Sequence, residues 1–504
     1  MTIISQFVRE QKRYSKKELL ELFSIDENYF IRLVKILKFH GVLKIVDKTS
    51  NQKNLSDLTD EYIELYDMDI NNDDYFYVFT FVGIITIDSI VIKSFPKYLL
   101  NKQEPLEEMK EIIKVLTKYN YENNIINLYS GYGNHKEFNL LSLCLYLIND
   151  FHDNGIYTNQ EIIIETNGEG EILWDNTINE TFAIIVRNKP FYTELKTKNI
   201  SDNEMDYITR LHKYVISDCY KKLEKSNLLE LFEMDYVSLS NEELSDFGDE
   251  DYIIYMLQKE LNVQFSTRKQ ILLKTLSSYI EKSKAFKEDL GLSMYGTTSF
   301  YNIWEKACAK VFDNKLDVKL KMLDLKGDLH EDYIKDKDNT LLEIIEKPTW
   351  IPINYKNEGH KSKYTLIPDL ISIYEIKNES CFAIFDAKYY NIILDEDSLE
   401  NHPGVGDVTK QYLYQLAYND FILKHNFSYT INAFLMPTKE DNHKLIGKAK
   451  MDILKGLSKP PLRSILILKV SASTIFKYYL NNQKLNISEE FGFLKKYYSS
   501  NALA

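Results

Sequence analysis

A chain of 504 residues is too long for one hydrophobic core, so two to four domains are expected. Apolar residues at 44% and charged residues at 27% fit water-facing globular domains. A net charge of −13 excludes a protein that coats nucleic acid over its whole surface, though not one that concentrates positive charge where phosphates lie. The cysteines Cys144, Cys219, Cys308 and Cys381 are widely spaced with no CxxC pair, so they read as buried thiols in a reducing cytoplasm. The opening residues, MTIISQFVREQKR, lack the apolar core of a signal peptide. Residues 75–92 hold Asp88 among β-branched and aromatic side chains, which suits strands better than a membrane-spanning helix. A cytoplasmic protein with no membrane association is expected.

Residues 1 to about 50 read as three helices and a short strand. Ser15 and Glu18 make a capping box that opens a helix through Phe23. After a tight turn, Phe30, Leu33, Val34 and Leu37 mark the buried stripe of a second helix, closed by His40-Gly41 and followed by a strand over 42–46. That outline is a winged helix, and it would turn Asn28, Arg32, Lys35 and Lys38 outward as a face for DNA, or equally for a protein. Residues 75–97 predict two or three strands, with Asp88-Ser89 as a turn. Helices are predicted over 107–119, 140–151, 204–224 and 267–284, with strands near 161–165 and 181–186.

Beyond residue 291 the order is a helix (299–312), a polar stretch, two strands (366–376 and 381–389), a helix (408–423), strands (429–436 and 464–470) and a helix (474–480). The chain as a whole is expected to be mixed α/β, with a winged-helix-like domain over 1–72, a mixed middle domain over 73–290 and a nuclease-like domain over 291–504. Lysines 439, 444, 448, 450, 455, 459 and 469, with Arg463, outnumber the acids of their stretch and could be a phosphate track or a solvated face.

Chemistry concentrates on the strand pair. Asp386 and Lys388 alternate on one strand and so share a face. Asp369 lies on the strand before it. A two-residue loop at Asn378-Glu379 would set Asp369 opposite Lys388, whereas a two-residue slip would set it opposite Asp386; either register keeps all three on one face. Neighbours expected there are Ile367, Ile371, Phe382 and Ile384, and paired carboxylates beside such a face are costly without a cation. That cost argues for a metal, and hard carboxylate oxygens suit Mg²⁺, with Mn²⁺ able to substitute. Glu305, in a helix otherwise apolar around it, is a candidate further ligand or water-positioner. Gln411 and Gln415, one helical turn apart, could hold the lysine or substrate. A chance surface salt bridge is the bland alternative, made less attractive by the apolar strands around both halves. A phosphate-loop imitation at 291–298 has Thr297 where lysine is needed, and a calcium-loop start at 67–71 lacks its glycine.

The core order with Pro368-Asp369 and Asp386-Ala387-Lys388 resembles the PD-(D/E)XK nuclease superfamily. With YGTTSFYNIWEKACAKVF (295–312), IPDL (367–370) and FDAKYY (385–390), the chain resembles the LlaJI-type restriction endonuclease family, a relative of McrC-like nuclease subunits. FVGIITIDSIVIKSFPK (81–97) resembles the McrC-like strand motif. The resemblance implies a metal-dependent DNA endonuclease of a restriction system. Asp369, Asp386, Lys388, Glu305 and Gln411 would be catalytic, and Asp369, Asp386, Glu305 and the Ala387 carbonyl would hold the metal. It also implies double-stranded DNA as substrate, an AAA+ NTPase as partner and scope for homo-oligomers. A stand-alone nuclease, or a non-catalytic adaptor on the same fold, are the rival expectations.

Overall fold

The computed structural model describes residues 4–47, 75–87, 90–100, 104–122, 129–130, 137–138, 140–203, 205–285, 292–353, 359–376, 378–459 and 461–494. The calcium-loop imitation and the Asp88-Ser89 turn lie outside these residues. In chain order, β1 (Ile4–Arg9) and β2 (Arg13–Tyr14) precede α1 (Lys16–Phe23), α2 (Glu27–Phe39), β3 (Leu43–Asp47), β4 (Tyr75–Phe79), β5 (Val82–Ile87), β6 (Ile90–Phe95) and α3 (Leu106–Glu122). Then come β7 (Tyr129–Ser130), β8 (Glu137–Phe138), α4 (Leu140–Asn154), β9 (Gln160–Thr166), β10 (Glu171–Ile172), α5 (Trp174–Glu180), β11 (Ala183–Val186), β12 (Lys189–Tyr192) and β13 (Lys196–Asp202). The helices α6 (Tyr207–Lys225), α7 (Glu250–Val263) and α8 (Thr267–Ala285) follow, before β14 (Leu292–Thr297) and α9 (Phe300–Val311). Last are β15 (Thr349–Trp350), β16 (His360–Lys361), β17 (Leu370–Ile376), β18 (Glu379–Ala387), β19 (Ile393–Leu394), β20 (Leu399–Glu400), α10 (Val405–Lys424), β21 (Tyr429–Thr438), β22 (Lys444–Ala449), α11 (Asp452–Lys455), β23 (Ile465–Ser471), α12 (Ala472–Leu480) and α13 (Ile487–Glu490). The chain divides into two compact units, one built mainly on 127–295 and the other on 6–84, 92–126 and 296–504.

In the second unit, α1 opens on the expected capping box: Glu18 N donates to Ser15 Oγ at 3.2 Å and Ser15 N to the Glu18 carboxylate at 2.7 Å. Asp26 caps α2 through the Tyr29 N–H at 2.8 Å, and Gly41, with φ +68°, lets the chain leave that helix. Leu19, Phe23, Phe30, Leu33, Val34 and Leu37 are all buried, and Phe30 meets Tyr77 edge-on at 5.1 Å. A sheet ordered β2-β4-β3 completes this part, so β4 supplies its middle strand. Of the three expected helices, the two with a position form as α1 and α2, and Ile4–Arg9 before them is a strand. β1 lies beside β6, and Glu10 N donates to Phe95 O at 2.9 Å. Tertiary pairing decides the state of this short Phe-Val segment.

The C-terminal sheet of this unit runs β17-β18-β21-β23-β22. Its inner strands β18, β21 and β23 are parallel and almost wholly buried, as the continuous apolar runs FAIFDA and AFLM require. Ile371, Phe382 and Ile384 pack on Tyr414, Tyr418 and Phe421 of α10. From α9, Trp304 Nε1 donates to Leu435 O at 3.2 Å, and Phe312, just past its end, stacks at 5.4 Å on Phe385. Helices thus cover the sheet while its strand ends stay available. Gly296 lies so close to β5 that a Cβ would collide with Val82 O and come 2.8 Å from the Gly83 Cα, which explains glycine in the YGTT run.

The first unit holds a β9-β13-β10 sheet, the β11-β12 hairpin, and α4 packed on α6 and α8. Ile162, Ile164, Ile185 and Phe191 of its sheets are exposed, as are Trp174 of α5 and Phe182 after it. Among the described residues, no helix is long and apolar enough to cross a membrane.

Candidate active site

The hairpin register settles where Asp369 sits. Ile376 faces Glu379 and Leu370 faces Phe385, which carries Asp369 to the level of Asp386. This is the slipped register, and Asn378 takes φ +66° in its turn. Ile371, Phe382 and Ile384 are buried on the site face as expected, but Ile367 is 54% exposed. Pro368 accounts for that difference, since without an N–H it cannot extend the ladder and β17 starts only at Leu370.

Asp369 Oδ2 accepts the Ala387 N–H at 2.9 Å, which pins the carboxylate across the hairpin. Asn314, just past α9, holds the same edge: its Oδ1 accepts the Ile371 N–H at 3.0 Å and its Nδ2 reaches Asp369 O at 3.5 Å. Asp386 is buried, and its Oδ1 stands 3.1 Å from Lys388 Nζ. Lys388 is thus the cation nearest to this buried oxygen that the ion pairs show. Burial, and then the Asp369 carboxylate beside it, push Asp386 up to about 9, against the pull of Lys388. Lys388 is drawn down by burial yet held well above its ordinary range by Asp386, Asp407 and Asp369. Asp407, in the first turn of α10, lies 3.1 Å from its Nζ.

Glu305 comes from α9 to the same place. Burial and Asp369 raise its carboxyl to about 7, while Lys388 lowers it. Burial, Asp369 and Glu305 likewise push the Cys308 thiol up. The structure therefore brings Asp369, Asp386, Lys388 and Glu305 into one electrostatic unit. Gln411 is placed differently: it is fully buried, and its Nε2 donates to Ile384 O at 3.1 Å and Ala433 O at 3.5 Å, tying α10 to the sheet. Gln415 accepts from Asn432 and from the Arg463 N–H, each at 3.1 Å, so the lysine-holding role falls to Asp407 instead. Arg32 and Lys35 are exposed on α2, and Lys38 is half-buried there. Of the basic stretch, Lys444 and Lys448 lie on the edge strand β22, where burial and the nearby Lys450 and Lys455 depress Lys448.

Asp407 and Asn314 were not singled out in the sequence. Asp407 does stand one turn before Gln411 at the start of the helix following the Asp386 strand, a position from which a carboxylate can reach Lys388. Nothing local marks Asn314.

Paired carboxylates and a buried cation at the end of a partly parallel sheet form a site suited to phosphodiester hydrolysis. Residues 81–326 and 329–477 match the family model of the LlaJI restriction endonuclease, and the chain belongs to that family. It is a nuclease of a restriction system. The Type II restriction enzyme BsuMI component YdjA of Bacillus subtilis (strain 168) is 28% identical over 431 residues, covering 83% of this chain and 84% of that protein. Among solved structures, a half-complex from the tetradecameric assembly of Thermococcus gammatolerans McrB AAA+ hexamers with bound McrC aligns with 95% of this chain and 99% of its own at 13% identity and a TM-score of 0.36. The cryo-EM structure of the Thermococcus gammatolerans McrBC complex aligns with 56% of this chain and 87% of its own, at 12% identity and a TM-score of 0.23. These scores are too low to equate the folds.

Proposed function

We propose that this chain is the metal-dependent DNA endonuclease subunit of an anti-phage restriction system, cutting double-stranded DNA together with an AAA+ NTPase. The observation that carries the proposal is the buried Asp386 carboxyl, which resists ionisation beside a second carboxylate although Lys388 is 3.1 Å away. A buried carboxyl that resists ionisation beside a second carboxylate fits a divalent cation, which would replace its proton. No group of three His, Cys, Asp or Glu side chains in metal-holding geometry occurs among the described residues. Mg²⁺ asks for less, since one or two carboxylates with water and phosphate complete its shell. Asp369 and Asp386 would hold it, with the Ala387 carbonyl and Glu305 as further oxygens; Mn²⁺ would substitute. When bound, the cation polarises the phosphate and lowers the pKa of water.

The chain's own groups divide the remaining work. Lys388 stays charged between Asp386 and Asp407 and can oppose the negative charge that builds on the phosphate. Glu305, poised near neutrality, can take a proton from water or return one. Arg32, Lys35 and Lys38 on α2 would meet DNA if the α1–α2 pair and its small sheet act as a winged helix. Three observations support a partner subunit: the McrC-like stretch 81–97, the relative named as a component of a restriction enzyme, and the exposed apolar side chains of the first unit.

Titration calorimetry with Mg²⁺ and Mn²⁺ on wild type and Asp369→Asn tests the metal site, alongside cleavage of plasmid DNA by the assembled system. Binding and cleavage should both be lost in the variant and in EDTA. Cleavage that persists in EDTA overturns the proposal.

A further inference from the structure

Two residues beyond Lys388 the chain enters a pocket of about 300 Å³ lined by Arg9, Glu10, Gln11, Lys12, Arg13, Lys97, Leu100, Tyr390, Asn391 and Asn401. Four cations and one acid make its lining strongly positive in a chain of net charge −13. The acid is turned inward. Glu10 is 5% exposed, and its Oε2 accepts the Tyr389 hydroxyl at 2.5 Å and the Lys97 N–H at 3.2 Å. It anchors the wall and leaves the cations to face the cavity.

Lys97 and Lys12 are held by an amide oxygen and by aromatic rings. Lys97 Nζ donates to Gln11 Oε1 at 3.0 Å and rides 4.5 Å above the Tyr389 ring; Lys12 Nζ lies 4.4 Å over Tyr14. Among the described residues, Arg9, Lys12 and Lys97 have no carboxylate within ion-pair distance. Burial lowers both Arg9 and Lys97, opposed by Tyr14 at the first and by Glu10 at the second, and an anion in the cavity would favour the charged form of each. Amide groups of Gln11, Asn391 and Asn401 add neutral donors to the same wall.

The position of the pocket narrows the choice of anion. Tyr389 bonds to Glu10 and Tyr390 lines the cavity, while the Tyr390 N–H bonds back to Lys388 O at 2.9 Å. The Cα atoms of Lys388 and Tyr390 are therefore no more than about 7 Å apart. A strand with one phosphate at the catalytic lysine would have its neighbouring phosphates within reach of this spot.

We propose that the pocket holds a backbone phosphate of the DNA strand being cut, a few nucleotides from the scissile bond. The proposal rests on the nuclease reading of the neighbouring site, and it assigns the loop 9–13 and Lys97 to substrate positioning.

Equilibrium binding of a short duplex to the full chain in EDTA, over a range of salt concentrations, tests it without cleavage. Lys12→Gln/Arg13→Gln should weaken binding severalfold and flatten the slope of log affinity against log salt by about one for each phosphate no longer neutralised. Melting temperature should be unchanged; if the double variant melts early, Lys12→Gln alone should still flatten the slope. Wild-type binding with unaltered variants overturns the pocket and leaves the nuclease reading standing. A wild type that binds no duplex even at low salt overturns both. ATP binding that is lost in the variant while duplex binding is kept would assign the pocket to a free nucleotide and overturn the proposal.

Discussion

At Asp386 two costs act in the same direction. Burial disfavours the carboxylate, and Asp369 beside it disfavours a second negative charge, so the acid stays protonated to about 9 although Lys388 is 3.1 Å away. The lysine keeps its charge among Asp386, Asp407 and Asp369, with Asp407 lying 3.1 Å from its Nζ. Asp407→Asn should therefore lower cleavage by on the order of tenfold, as loss of a partner that orients a site group commonly does. Its signature is a Lys388 that loses its proton at lower pH than in wild type, visible as a shift of the alkaline limb in the pH profile of the rate. A tenfold loss without any change of profile would make Asp407 a folding residue. The sequence made Asp369, Asp386 and Lys388 legible, because strand alternation and an apolar context act over a few residues. Asp407 and Asn314 act through space from a helix start and a post-helix turn, where no local pattern distinguishes them from ordinary surface polar groups.

Among elements, periodicity performed well and turn chemistry less so. Helices α3, α4, α6, α8, α9 and α10 fall close to where their apolar spacing puts them. The hairpin turn sits one residue earlier than the Asn378-Glu379 loop would place it, because Asn378 takes the left-handed position. β1 is not read as a strand in sequence because its partner strand lies some eighty residues away. Helix α6 also carries a group that links its stability to pH. His212 is fully buried, and its Nδ1 accepts the Tyr157 N–H at 3.0 Å, which fixes the proton on Nε2. Burial lowers its pKa from 6.5 to about 4, with Asp150 opposing and Arg268 assisting. The unfolded chain binds this proton first, so stability present above 6.5 is lost as pH falls toward 4, on the order of 3 kcal/mol over that window. Urea unfolding at several pH values should show His212→Asn, which keeps an acceptor for Tyr157, with a shallower acid dependence than wild type. Equal slopes would contradict the assignment.

Over the whole molecule, an acidic chain sets four cations around the pocket beside Lys388 and exposes Arg32 and Lys35 on α2, while the buried Asp386 and the half-buried Asp369 share one sheet end. Charge placed this way suits a nuclease better than a structural salt bridge, and the two ideas make opposite predictions for one substitution. Asp386→Asn keeps the shape of the side chain and removes a buried acid that resists ionisation. If the pair with Lys388 were structural, breaking it would cost about 3–5 kcal/mol of stability. The decisive measurement is Mg²⁺-dependent DNA cleavage by the assembled system, made with Asp386→Asn and wild type, with the melting temperature of each preparation recorded beside it. The account predicts a variant that melts at or above the wild-type temperature and cuts at least about 10²-fold more slowly. A variant that melts well below wild type, or one that stays folded and still cuts at the wild-type rate, would contradict it.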